Sequence, residues 1–138
     1  RRQFDFWIGT WTVSTTGSGQ IAGENEIVPI AGGCALLENW RSASGGTGKS
    51  LNTWRAADRR WTQHWVDGQG TVLDLSGGLK DGKMVLQGAA RSTPNGTVQD
   101  RISWTPVSPT EVRQVWEISS DGGANWQVIF DGTYRKKQ

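Results

Sequence analysis

Turn signals punctuate the 138-residue chain at short, regular intervals, and this feature constrains the fold most. They fall at Gly17-Ser18-Gly19, Gly32-Gly33, Ser44–Gly48, Ala57–Arg60, Asp67–Gly70, Lys80–Lys83, Pro94–Thr97, Val107–Thr110 and Asp121–Asn125. Asp81-Gly82 and Asn95-Gly96 carry the strongest hairpin signal, because both pairs suit the positive φ angles of a type I′ turn. Nine turns spaced roughly 10–15 residues apart divide the chain into ten strands, which reads as an all-β meander. No stretch has a helical period, although Phe4, Phe6 and Trp7 either form a short helical plug or begin the first strand. At this length residues 1–138 read as one domain with enough buried surface to fold unaided.

A ten-strand meander has two edges to hide, and closing the sheet removes both. The expected fold is therefore a single antiparallel up-and-down β-barrel of about ten strands. Alternation then assigns faces. Leu36, Glu38 and Trp40 share one. So do Asn52 and Trp54, and so do Trp61, Gln63 and Trp65, opposite Thr62, His64 and Val66. Met84 and Leu86 point together, as do Val112, Gln114, Trp116 and Ile118. In the last strand Trp126, Val128 and Phe130 fall on one face, with Tyr134 beyond Gly132 and a bend at Asp131-Gly132.

Polar residues interrupt these apolar faces. Glu38, Asn52, Gln63 and Gln114 sit among tryptophans and aliphatics, and leaving such groups buried without partners costs about 1–3 kcal/mol each. They bond to one another, to water or to a ligand. Eight strands just fill a barrel lumen, whereas ten leave room for a cavity. Nine tryptophans in one small chain supply flat apolar walls for it.

Composition excludes several classes. Fifteen basic and 13 acidic residues give a net charge of +2, with part of the excess at the chain ends and no basic stripe, so nucleic acid is a poor fit. No apolar run is long enough for a membrane span. One cysteine, Cys34, rules out an intramolecular disulfide, and a lone cysteine is more often a small core residue than a nucleophile. One histidine and one cysteine do not make a zinc site. No signal peptide is legible, and compartment and oligomeric state stay open; a periplasmic or secreted location follows if an upstream signal has been removed.

Three stretches resemble known patterns. Gly9-Thr10-Trp11, after Phe4-Asp5-Phe6-Trp7, resembles the start of calycin barrels such as lipocalins. That resemblance implies that Trp11 plugs the closed end, with a late arginine, here Arg135, over it. Ser119-Ser120-Asp121-Gly122-Gly123-Ala124-Asn125-Trp126 resembles the sialidase Asp-box, with Asn125 in place of threonine, and implies a self-bonded hairpin rather than a glycosidase. A longer pattern runs through Asn52, Trp61–Asp67, Leu75–Gly78, Gly82–Gly88, Arg101–Pro106, Val112–Glu117 and Phe130–Arg135. It is similar to the DUF1579-type family of bacterial lipocalin-like proteins, which implies a calycin-like barrel and no particular reaction.

Several functions compete. The first is binding of a small hydrophobic or aromatic molecule, with Trp40, Trp54, Trp65 and Trp116 as walls and Asn52, Gln63, Gln114 and Glu38 fixing orientation. Arg101 joins this set if its strand turns it inward, and faces solvent if Ile102 and Trp104 point in. The second is a cofactor-independent enzyme using Glu38 as general acid or base, because desolvation would raise its pKa. A haem-binding barrel of the nitrobindin type is a further alternative, but alternation points His64 outward, so no cofactor and no metal are expected. The third function is an interaction module with several tryptophans exposed.

Overall fold

The computed structural model describes residues 1–137. Eleven strands run in chain order: β1 (Gly9–Thr15), β2 (Ile21–Ile30), β3 (Ala35–Ser42), β4 (Thr47–Arg55), β5 (Arg60–Asp67), β6 (Val72–Lys80), β7 (Lys83–Gly88), β8 (Arg91–Thr93), β9 (Gly96–Ser108), β10 (Glu111–Ser119) and β11 (Gln127–Lys136). Each pairs antiparallel with its sequence neighbour from β1 to β7; β7 then pairs with β9, β9 with β10 and β10 with β11. Pairing of β11 with β1, from Trp11 opposite Lys136 to Thr15 opposite Gly132, closes a ten-strand up-and-down barrel. The three residues of β8 hydrogen-bond to the start of β9 and lie outside the closed ladder.

The turns follow local chemistry. Asp81 and Gly82 both take positive φ, as a type I′ hairpin demands. Asn95-Gly96 does not form that turn. Thr93 pairs with Gly96, which makes Pro94 and Asn95 the central residues, and the proline ring forbids positive φ at the first of them.

One end of the barrel is solid. Asp5–Trp7 forms a 3₁₀ turn that inserts Phe4 and Trp7 under β1. Phe4 stacks on Trp7 at 4.9 Å and meets Trp61 and Trp104 edge-on at 5.5 and 5.1 Å. All four rings are fully buried, as is Trp11, whose indole N–H donates to the Trp7 carbonyl at 2.9 Å. The cation beside Trp11 is Lys136, its Nζ 5.1 Å from the ring, and not Arg135. Trp11 and Lys136 stand opposite each other in the closing ladder and share a face, so period-two alternation sends Arg135 outward, within 3.7 Å of Glu111.

Two face assignments change. The β10–β11 register slips between Trp116 and Glu117, which stand opposite Phe130 and Val128, so Ile129 is the extra residue of a bulge. The bend lies there rather than at Asp131-Gly132, and Val128 is exposed while Phe130 packs against the core. Trp126 stays outside, with the Arg101 guanidinium 4.0 Å from its ring centre. Its hairpin is bonded as an Asp-box predicts. Asp121 accepts from the Ser119 hydroxyl, the Asn125 backbone and the Asn125 amide, and these bonds hold its carboxyl down to about 2.

Candidate functional site

Away from the plug, the lumen widens into a cavity of about 270 Å³. Its apolar wall is Trp40 of β3, Trp65 of β5, Leu73 of β6, Ile102 of β9, Trp116 of β10 and Ile129 and Phe130 of β11. Glu38, Gln63, Gln114 and Tyr134 supply the polar groups. The space exists because two indoles lie against the wall instead of across the lumen. The six-membered ring of Trp65 fills the position of a side chain at Gly48 of the next strand, only 2.1 Å from where a Cβ would stand. Trp40 reaches Gly23 in the same way, 2.7 Å from the corresponding point. Trp116 is fixed differently: its indole N–H donates to Asp100 at 2.9 Å. Asp100 is buried and also takes both forks of the Arg91 guanidinium, at 2.6 and 3.1 Å. Strand β8, outside the barrel ladder, thus delivers the cation that compensates a buried carboxylate beside the cavity.

The floor is a hydrogen-bond network centred on Glu38. Gln63 Nε2 donates to Asn52 Oδ1 at 2.9 Å, Asn52 Nδ2 to Ser50 Oγ at 2.7 Å, and Ser50 Oγ to Glu38 Oε1 at 2.6 Å. From the other side Asn25 Nδ2 donates to Glu38 Oε2 at 2.7 Å and to the Tyr134 hydroxyl at 2.9 Å, and Tyr134 donates to Gln114 Oε1 at 2.5 Å. The register sets this chain of contacts. Glu38 faces Ser50 across β3–β4, and Asn52 faces Gln63 across β4–β5. Burial pushes the Glu38 carboxyl above the ordinary value, against the Ser50 and Asn25 hydrogen bonds, which pull it down. Burial, then the Glu38 charge, holds the Tyr134 phenol well above its usual range, so it remains a neutral donor.

The structure brings together Glu38, Trp40, Gln63, Trp65, Gln114 and Trp116 of the expected set. Asn52 is fully buried behind Gln63 and Ser50, bonded into the network but not on the cavity surface. Trp54 lies at the plugged end, 5.9 Å from Trp61, because β4 runs toward the plug and carries residue 54 too deep. Arg101 does not reach the cavity. Ile102 and Trp104 occupy the interior, so alternation turns Arg101 out, where it pairs with Glu117 at 3.1 and 3.3 Å. Trp7, Trp61 and Trp104 belong to the plug, and none of the nine tryptophans is fully exposed. His64 lies on the outer wall, 2.6 Å from Asp74, so it offers no axial ligand to anything in the lumen. Among the described residues no group of three metal-ligating side chains converges, and no helix is long and apolar enough to cross a membrane.

Sequence reasoning missed Asn25 and Ser50, and it placed Tyr134 on an interior face without linking it to the Glu38 network. Alternation offered a signal for Asn25 and Ser50, two polar residues in phase with Ile27 and Asn52. Cross-strand pairing, which the sequence does not display, makes them partners of Glu38. No protein-family model matches the chain, and no curated protein matches it either.

Proposed function

We propose that the barrel binds a small hydrophobic or aromatic molecule in this cavity. The observation that carries the reading is the make-up of the lining: three indoles and aliphatic side chains around a few convergent polar groups, the usual composition of a ligand site. About 270 Å³ lies just below the common range for such pockets, so the ligand is of modest size. The DUF1579-type, lipocalin-like assignment belongs with this reading; the long pattern from Asn52 to Arg135 supports the family, and the Gly9-Thr10-Trp11 start, with Trp11 packed in the closed end, supports the calycin likeness. Titrating the protein with 2-naphthol, a neutral aromatic probe, should change tryptophan fluorescence, and Trp65→Ala should weaken the probe about tenfold. Equal affinity in the variant would sink the assignment of the site.

The raised Glu38 carboxyl favours one second reading, a cofactor-independent enzyme with Glu38 as general acid or base. Glu38→Gln separates the two. A protein that only binds neutral aromatics keeps their affinity within about tenfold. An enzyme relying on that proton loses turnover by about 100-fold or more.

A further inference from the structure

Resting on the binding reading above, we infer that the cavity is built for a small organic cation, an ammonium group on an apolar or aromatic body, with Glu38 as its counter-charge. The first observation is the direction of the hydrogen bonds. Ser50 Oγ already accepts from Asn52, so its own proton goes to Glu38 Oε1. Asn25 donates to Oε2. Both carboxyl oxygens are therefore acceptors, the arrangement that suits a carboxylate rather than a carboxylic acid.

The second observation is that nothing positive balances it. Buried charges in proteins are paired, or they neutralise. The other buried carboxylate, Asp100, obeys this rule through Arg91. Glu38 has no such partner among the described residues. Asn25 on β2, Ser50 and Asn52 on β4, Gln63 on β5, Gln114 on β10 and Tyr134 on β11 surround it. Of these only Tyr134 ionises, to an anion, and it is held neutral. Behind the cavity surface, Asn25 Oδ1 is a further buried acceptor with no donor among the described residues. Among the described residues, Glu38 is also the sole charged one lining the cavity.

The third observation is the wall. Trp40, Trp65, Trp116 and Phe130 surround the space above Glu38, and aromatic side chains attract cations electrostatically, most strongly when the cation is desolvated. An acid at the floor and indoles at the sides together select for positive charge. An anionic ligand would meet an uncompensated carboxylate.

The test uses three matched probes: 2-phenylethylammonium, neutral 2-phenylethanol and anionic phenylacetate, titrated calorimetrically into the whole chain. The ammonium should bind at least about tenfold tighter than the alcohol, and phenylacetate weakest. In Glu38→Gln the ammonium should lose about tenfold or more while the alcohol changes by less than about threefold. A second measurement needs no variant. The ratio of ammonium to alcohol affinity should fall as pH is lowered through the range, raised above the ordinary carboxyl value by burial, in which the Glu38 carboxylate takes up a proton. If the alcohol or phenylacetate binds as tightly as the ammonium, or the ratio stays flat with pH, the cation inference is overturned while the small-molecule reading stands. If none of the three binds, both are overturned.

Discussion

The ring of Trp65 occupies the space that any side chain at Gly48 would need, so the cavity depends on a residue with no side chain at all. Gly48→Ala would force Trp65 off the wall and into the lumen. The expected cost is about 1–3 kcal/mol, as for other overpacked sites, with loss of aromatic-probe binding. Gly78→Ala is the control, since its added methyl meets nothing within 4 Å. Urea denaturation and a 2-naphthol titration on both variants check this; equal behaviour would show that the indole yields without filling the pocket.

Glu38 should make stability depend on pH in an unusual direction. Its carboxyl is raised by burial, so in the window between the ordinary value and the raised one the folded chain holds more protons than the unfolded chain. Stability contributed by this group therefore falls as pH rises through that window, and the penalty persists above it. Glu38→Gln should remove the slope, while its amide N–H meets one of the donors, Ser50 or Asn25, that the carboxylate accepts from. The difference between the two denaturation profiles isolates Glu38 from acids shifted the other way, such as Asp131, which Arg113 holds below its usual range.

Arg91 should matter through Asp100. Its side chain is about one-third exposed, but the carboxylate it grips is only 2% exposed. Arg91→Met leaves Asp100 buried with the Trp116 N–H as its remaining side-chain donor. A fully buried pair broken in this way costs about 3–5 kcal/mol; partial exposure of Arg91 reduces the expectation to about 1–3 kcal/mol. Arg91→Met with Asp100→Asn should recover much of the loss in the same denaturation assay. No recovery would mean that Arg91 acts by packing its stem.

The Asp121 turn is predicted to be local. Removing the carboxylate in Asp121→Ala strips acceptors from the Asn125 backbone, the Asn125 amide and the Ser119 hydroxyl. Hydrogen exchange at the Asn125 amide should accelerate, with probe binding unchanged. The wild-type bond is held from neutral pH downward and is lost only as pH falls from the ordinary aspartate value through about 2.

Much of this was legible because a strand keeps strict account of its faces. Glu38, Gln63 and Gln114 follow from counting by two alongside tryptophans, and the structure places all three on one cavity. Depth along the barrel is not written in that count, so Trp54 shared a face with Asn52 yet lies beside the plug. The β11 bulge at Ile129 defeated the count locally, since one extra residue reverses every face assigned across it. Arg101 and Arg135 show the same dependence on phase. The partners of Glu38 were invisible for another reason. Asn25 and Ser50 lie 13 and 12 positions away and meet it only through register, which alternation does not fix.

Strand β11 fits between β10 and β1, and its Tyr134 bonds to Asn25 across 109 positions. Until β11 docks, β1 and β10 are both open edges, and such distant pairings form slowly. The Asn25–Tyr134–Gln114 side of the network and the Phe130 wall arrive with that strand. During synthesis at a ribosome, the cavity is therefore assembled last, and a nascent chain lacking β11 would offer chaperones two unpaired edges and an unclosed lumen.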